Sequence, residues 1–319
     1  MNDSLPRLTK FADGITAVDT EYVRPQMDAS HVVVAGTRAA IVDTGPNSAV
    51  PLILAALEQL GIERDAVELL FLTHVHLDHA GGAGELLARC PNATVTVHPR
   101  GARHVIDPAR LVAATVEIYG EAHTRRIYGD VIPVAAQRVV ETPDESTLRW
   151  QGREFLFLDS PGHARHHVVV RDSASGHFFA GDTFGLSYRE LDAGARQFSF
   201  PTTSPVQFDP AALHVSIDRL MSFRPDALYV THFGQVREAL RLAADLHRLI
   251  DAHAELGVQH RFAGAERHQR LCDGITALVL AERERQGWSL SPEETRRVFA
   301  LDIELNAQGI AAWLDRKSA

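Results

Sequence analysis

The sequence predicts an α+β fold in which layers of β-sheet are covered by helices. Three observations predict it. The first third is rich in β-branched runs punctuated by glycine, the pattern of short strands. Apolar runs in the middle of the chain each end in a histidine or an aspartate. Beyond residue 236 the apolar spacing becomes helical.

Taken in order, Ile15 to Val18, His31 to Ala35 and Ala39 to Asp43 read as strands. Asp43-Thr44-Gly45-Pro46 is a turn. Asn47 or Ser48 then stands where it can cap a helix running to Leu60, with Gly61 to end it. Leu69 to Thr73 is a short buried strand, Gly82 to Arg89 a short helix, and Thr94 to Val97 another strand. Residues 103–140 break this rhythm. His104, Leu111, Val116, Ile118, Tyr119 and Ile127 suggest short helices, so the stretch reads as a helical insertion. Strands resume at Arg138–Val140, Arg153–Leu158, Val168–Arg171 and Phe178–Ala180. Phe198–Pro210 is a loop rich in proline and threonine, Leu213–Phe223 a helix and Ala227–Thr231 a strand. Past His232-Phe233-Gly234, apolar positions such as Leu240, Ala243, Leu246, Leu249 and Ile250 recur at helical spacing. Further helices are expected at about 265–286 and 292–316, with Pro292 following Ser291 at a helix start. The predicted division is a domain over 1–235, interrupted at about 103–140, and a C-terminal helical extension over 236–319 packed on it.

The 319 residues suffice for one large core with an extension. A net charge of -9 argues against broad binding to nucleic acid or anionic membrane. The two cysteines, Cys90 and Cys272, form no CxxC pair and no disulfide framework, and they read as small buried apolar residues. The opening MNDSLPRLTK holds no apolar leader run. No stretch approaches eighteen uninterrupted apolar residues. A reducing, cytoplasmic setting is the expectation.

The chemistry concentrates in Thr73-His74-Val75-His76-Leu77-Asp78-His79-Ala80-Gly81-Gly82. Four ligand-type side chains lie within six residues, on a tight turn between a strand and a helix. Two glycines there permit close backbone approach. Imidazoles with a carboxylate suit zinc and other first-row divalent ions. A polar surface turn with accidental histidines is the competing reading. Other strand-like runs also end in ligand types: Phe155–Leu158 leads to Ser160-Pro161-Gly162-His163, Phe178–Ala180 to Gly181-Asp182, and Leu228–Thr231 to His232. Strand ends at one sheet edge can converge, which is what a preformed metal site requires.

On these residues the chain resembles the metallo-β-lactamase fold superfamily, and within it the glyoxalase II and lactonase-like hydrolases. The matching elements are Val42-Asp43-Thr44-Gly45, the His74 to His79 motif, Pro161-Gly162-His163, Gly181-Asp182 and Thr231-His232, in the family's order. The resemblance implies a four-layer αββα sandwich, here with a helical insertion and C-terminal helices. It implies that His74, His76 and His163 hold one metal, that Asp78, His79 and His232 hold a second, and that Asp182 bridges them. The cofactors implied are two divalent ions, zinc first, with iron or manganese as alternatives. A metal-bound hydroxide would attack an ester, thioester or lactone, with Asp78 also orienting the nucleophile. Asp43 would brace the 74–79 loop, against the plainer reading of a turn aspartate.

Two other enzyme readings stay open. One is a phosphodiesterase on the same scaffold, which the acidic chain and missing basic cluster disfavour. The other is a mononuclear iron oxygenase resembling persulfide dioxygenase, which the full second-metal set disfavours. β-Lactamases of the best-known subclass carry cysteine where Asp182 stands and lack a histidine at position 79. His167 is assigned to structural support, and His166 is left open. His31, His98, His247 and His253 are read as packing or surface residues. Tyr119, Tyr128, Phe184 and Tyr188 line an aromatic pocket or are simply core, and the insertion stands where a lid would. The expected partner is a small-molecule substrate, with no nucleic acid and no membrane. The C-terminal helices could cover the chain's own core or a second subunit, so a homo-oligomer stays open.

Overall fold

The structure is a computed structural model and describes residues 5–203 and 206–318. Ser204 and Pro205, part of the loop expected over 198–210, lie outside the described residues, as do the first four residues of the chain. The chain divides into two compact units. The first takes the residues up to Asp159, with His166–Gly181 and Tyr229–Gln235. The second takes Ser160–Arg165, Asp182–Leu228 and the residues from Val236 on.

The first unit is built on a seven-stranded sheet whose strands neighbour one another in chain order. They are β1 (Leu8–Lys10), β2 (Ile15–Asp19), β3 (Ala29–Ala35), β4 (Arg38–Val42), β5 (Val67–Phe71), β6 (Thr94–Val97) and β7 (Val139–Glu141). The first four are antiparallel, and β4 to β7 are parallel. Parallel strands need crossovers, and helices supply them: α1 (Val50–Gln59), α2 (Leu77–Ala80), α3 (Ala83–Arg89), α4 (Pro99–Ile106), α5 (Ala109–Tyr119) and α6 (Glu121–Tyr128). A second sheet of six strands has the order β13-β12-β11-β10-β9-β8. Its strands are β8 (Thr147–Trp150), β9 (Arg153–Asp159), β10 (Val168–Asp172), β11 (Phe178–Phe179), β12 (Ala227–Val230) and β13 (Gly234–Arg237).

Alternation along the strands explains the layers. Ile15, Val33, Ala40, Val42 and Phe71 of the first sheet pack with Phe155, Phe157, Val168, Val170 and Phe179 of the second. Phe71 sits 4.7 Å from Phe155 and 5.7 Å from Phe157, ring to ring. The opposite face of the first sheet, with Val32, Ile41 and Leu70, packs on Val50, Ile53, Ala56 and Leu57 of α1 and on Leu86 and Leu87 of α3. The buried positions of α1 repeat at helical spacing, so one stripe meets the sheet. This unit is therefore helix on sheet on sheet.

Several expectations change here. Neither Asn47 nor Ser48 caps α1. The two residues lie in a single 3-10 turn, and the N-cap is Ala49, without a side-chain bond. The Asn47 amide is instead taken up by the carbonyl of Asp130. Gly61 does end the segment, at φ +69°. Strands β1, β8 and β13 were not expected. The strand expected over 69–73 stops at Phe71, and the helices expected from 103 begin at Pro99.

The second unit is mainly helical: α7 (Pro210–Ser222), α8 (Ala239–His260), α9 (Arg267–Gln286), α10 (Pro292–Val298) and α11 (Ala300–Ser318). Helix α8 packs on α7, α9 and α11. Ser291 caps α10 reciprocally with Glu294, and Pro292 takes the first turn, as the sequence suggested. Phe184 and Tyr188 are fully buried in this unit, with the Tyr188 ring 5.9 Å from Phe299 and its hydroxyl donating to Asp302. Both are core residues of the unit, which corrects the pocket reading for this pair. Among the described residues no helix is long and apolar enough to cross a membrane.

Candidate metal centre

The turn after β5 carries the densest cluster. Thr73 leaves the strand, His76 is the N-cap of α2, and Asp78 and His79 lie in that four-residue helix. The neighbouring turn holds it in place. The Thr44 N–H donates to the His79 carbonyl at 2.7 Å, and the Gly82 N–H to the Gly45 carbonyl at 2.9 Å. Gly81 is required by its own turn and Gly82 by the neighbouring segment. A Cβ on Gly81 would lie 2.4 Å from the Leu77 oxygen, and one on Gly82 2.8 Å from Val50.

Asp43 is the hub behind the cluster. It adopts φ +53°, just past the end of β4. Its Oδ1 accepts from the Thr73 N–H at 2.8 Å. Its Oδ2 accepts from the Thr73 and Thr231 hydroxyls, at 2.7 and 3.0 Å, and lies 2.9 Å from His79 Nδ1. With Nδ1 committed there, His79 presents Nε2 to Asp78 Oδ2, 3.7 Å away. His232 repeats the arrangement. Its Nδ1 is 2.5 Å from Asp28 Oδ1, and its Nε2 lies 3.9 Å from the same Asp78 oxygen. Asp78, His79 and His232 thus form a group whose ligand atoms lie within 4.8 Å of one another.

His74 is fully buried, and its Nε2 lies 2.9 Å from His76 Nδ1. Its ring centroid is 4.0 Å from that of His79. His167 stacks on it at 4.8 Å and 20°. A Cβ on Gly181 would come within 2.8 Å of both Thr73 and His167, so glycine is needed at that position as well. His166 lies 6.2 Å from His74 and 5.6 Å from His76, ring to ring.

His163 and Asp182 belong to the helical unit and face each other there. His163 Nε2 is 3.6 Å from Asp182 Oδ2. His163 Nδ1 is 3.1 Å from the Thr202 carbonyl, and the Thr202 hydroxyl donates to the Asp182 carbonyl at 3.2 Å. Gly162 sets the entry to this pair. Its φ is +134°, and a Cβ there would lie 2.4 Å from the backbone of Leu213 in α7.

The donor chemistry in each unit fits divalent first-row metals. Imidazoles and carboxylates predominate, and three of the histidines are held on one nitrogen by an oxygen while the other nitrogen faces a carboxylate. That far-side bracing fixes tautomer and direction in metal sites. Asp28 escaped the sequence reading, although a signal existed. Residue 31 pairs with residue 42 across β3 and β4, so Asp28 must lie at the same sheet edge as Asp43.

The remaining histidines have structural explanations. His31 is fully buried between Phe179 and Tyr229, and burial pulls its pKa down to about 4. His98 accepts from the Arg100 N–H at the start of α4 and faces Asp159 at 3.2 Å. His247 pairs with Asp218, and His253 is buried against Leu249 and Phe200. From the insertion, the Tyr128 hydroxyl meets that of Tyr22 at 2.6 Å. Burial first pushes both phenols well above the usual tyrosine range, with Tyr128 and then Asp78 adding to it for Tyr22, and Asp78 for Tyr128.

The sequence profile of the metallo-beta-lactamase superfamily matches residues 24–232, and the chain belongs to this superfamily. A curated relative, the hydroxyacylglutathione hydrolase of Xanthomonas euvesicatoria pv. vesicatoria, is 31% identical over 208 residues, 64% of this chain and 60% of that protein. The chain thus spans about 60% of the length of that relative. Among solved structures, the archaeal superfamily protein ST1585 from Sulfolobus tokodaii aligns with a TM-score of 0.62 at 19% identity, over 94% of this chain and 99% of that one. A metallo-beta-lactamase family protein from Thermus thermophilus aligns with a TM-score of 0.60 at 20% identity, over 99% and 93%. These likenesses show the metallo-β-lactamase fold.

Proposed function

We propose that the chain is a dinuclear metal-dependent hydrolase acting on a thioester of a small hydroxy acid. His74, His76 and His163 would hold one ion, Asp78, His79 and His232 the other, and Asp182 both. Zinc is the first candidate, because nitrogen and carboxylate donors suit it. One observation carries the reading: His79 and His232 aim their Nε2 atoms at a single Asp78 oxygen, each braced from behind by a carboxylate. Such bracing costs buried charge and belongs to sites that must hold a cation in a fixed place.

When bound, a pair of divalent ions acidifies water and polarises a carbonyl. The chain's own groups do the rest. Asp43 and Asp28 keep the two imidazoles in the tautomer with a lone pair on Nε2. The Asp78 carboxylate orients the attacking water toward the acyl carbon. Water adds across the C–S bond: the acyl carbon takes the hydroxyl, and the sulfur leaves as a thiol. The choice of thioester over ester or lactone rests on the relatives named hydroxyacylglutathione hydrolase.

The test is a turnover panel on zinc-loaded protein, with hydroxyacyl thioester, aryl ester, lactone and bis-aryl phosphate. Thiol release from the thioester is expected, and the Asp78→Ala variant should lower it on the order of 100-fold or more. No turnover of any acyl substrate by protein holding two ions would overturn the reading. Cleavage of the phosphate diester alone would replace it with a phosphodiesterase.

A further inference from the structure

The helical unit carries a second constellation of ligand types. His268 and Cys272 lie one turn apart on α9, and Glu304 faces them from α11. His268 Nε2 is 3.1 Å from each Glu304 oxygen. Cys272 Sγ lies 3.6 Å from that nitrogen and 3.8 Å from Glu304 Oε2. These separations can be compared with a tetrahedral zinc site. Bonds of about 2.0–2.2 Å to nitrogen and oxygen and about 2.3 Å to sulfur imply edges of roughly 3.3–3.7 Å. The three observed edges match within a few tenths of an ångström, before any ion has drawn the groups together.

The scaffold under the trio is rigid. Helices α9 and α11 pack on each other, with Leu271, Ile275 and Val279 buried on one and Ala307 and Ile310 on the other. His268 and Cys272 follow the i, i+4 rule that puts two side chains on one helix face. Gln308 donates to Glu304 Oε1 at 2.7 Å and orients the carboxylate from behind. The His268 and Glu304 side chains are about half exposed, at 48% and 46%, so a water can complete the coordination.

We propose that His268, Cys272 and Glu304 form a binding site for a thiophilic divalent cation of the zinc class, which clips α9 to α11. The thiol is the discriminating element. A plain surface ion pair between His268 and Glu304 needs no sulfur beside it, whereas thiolate ligation selects soft ions such as zinc over magnesium or calcium. Binding displaces the thiol proton to solvent.

The probe is cobalt(II) added to the reduced 319-residue chain. Ligation by Cys272 produces a thiolate-to-cobalt charge-transfer band in the near ultraviolet. None of the seven candidate ligands of the first centre is a cysteine, and Cys90 is fully buried, so the band reports on this site alone. The reading is also independent of whether the first centre hydrolyses anything. We expect the band to level off at the amplitude of one thiolate-bound cobalt per chain, whatever cobalt the first centre also takes up, and to vanish in Cys272→Ser. In His268→Ala, an exposed position where folding is not at stake, cobalt affinity should fall by at least the roughly 10–100-fold that loss of an outer partner costs. Asp78→Ala should keep the band. Zinc should raise the melting temperature of Cys272→Ser less than that of the parent chain. No band at excess cobalt would overturn the proposal, and so would a band unchanged in His268→Ala.

Discussion

Replacing Asp43 with asparagine tests whether bracing from behind sets metal affinity. Asp43 receives the Thr73 N–H on Oδ1, and two hydroxyls and His79 Nδ1 on Oδ2. In Asp43→Asn the amide carbonyl must stay toward the Thr73 N–H, because the reverse orientation sets two donors against each other. The NH2 group then occupies the Oδ2 position. Thr73 and Thr231 can rotate their hydroxyls and accept. His79 can answer only by moving its proton to Nε2, the atom that faces Asp78, and a protonated nitrogen has no lone pair for a metal. Loss of such an outer partner costs about 10–100-fold in metal affinity, or about 1.4–2.7 kcal/mol. Asparagine tolerates φ +53° well, so the backbone adds little. Asp43→Ala is a poorer probe. It strands buried donors at about 1–3 kcal/mol each and adds left-handed strain of about 1 kcal/mol. The assay is zinc titration against a competing chelator, with thermal melts of the metal-free proteins alongside. Weaker binding with a melting temperature within a few degrees of the parent is expected. Unchanged zinc affinity in a folded Asp43→Asn protein would refute the reasoning.

Two further outcomes follow from particular residues. His31 and His253 each have a folded pKa lowered from 6.5 to about 4 by burial. The unfolded chain therefore takes up protons between these values while the folded chain does not. Their contribution is complete above 6.5 and is lost as pH falls toward 4, at up to about 3 kcal/mol each; denaturant curves of the metal-free protein should show His253→Leu with a shallower acid slope, and an identical slope would contradict it. Gly181→Ala drives a methyl group into Thr73 and His167 at φ +47°, so it should lower both melting temperature and zinc affinity, and a neutral result in both would show that this backbone can yield.

Comparing what the sequence disclosed with what it withheld separates two kinds of information. Ligand identity is local. His74 to His79 could be read as candidate ligands because they crowd one turn, and His163, Asp182 and His232 because each follows a short continuous apolar run that reads as a buried strand. That sheet would be covered by helices was legible from the order of strand-like and helix-like segments, and the pairing of two sheets only from the family resemblance. Short strands escape this reading: β1 has three residues and no alternation, and β8 alternates over only four, Thr147-Leu148-Arg149-Trp150, too short a run to stand out. Asn47 and Ser48 looked like caps because capping types stood in the right place, but a 3-10 turn before α1 left the capping role to neither. Ligand direction is a tertiary property. His79 points at Asp78 because Asp43, 36 positions earlier, holds its other nitrogen, and His232 does so because of Asp28, 204 positions earlier. No window on the sequence spans the second of these pairs. What joins them is the register of β3 with β4, which sets both aspartates at one edge, and the Ala29 N–H bond to the Thr231 carbonyl, which brings His232 to that edge. The sheet therefore has a chemical role that its ligands do not: it decides which nitrogen of each imidazole keeps a lone pair, and so whether the donors can serve a metal at all.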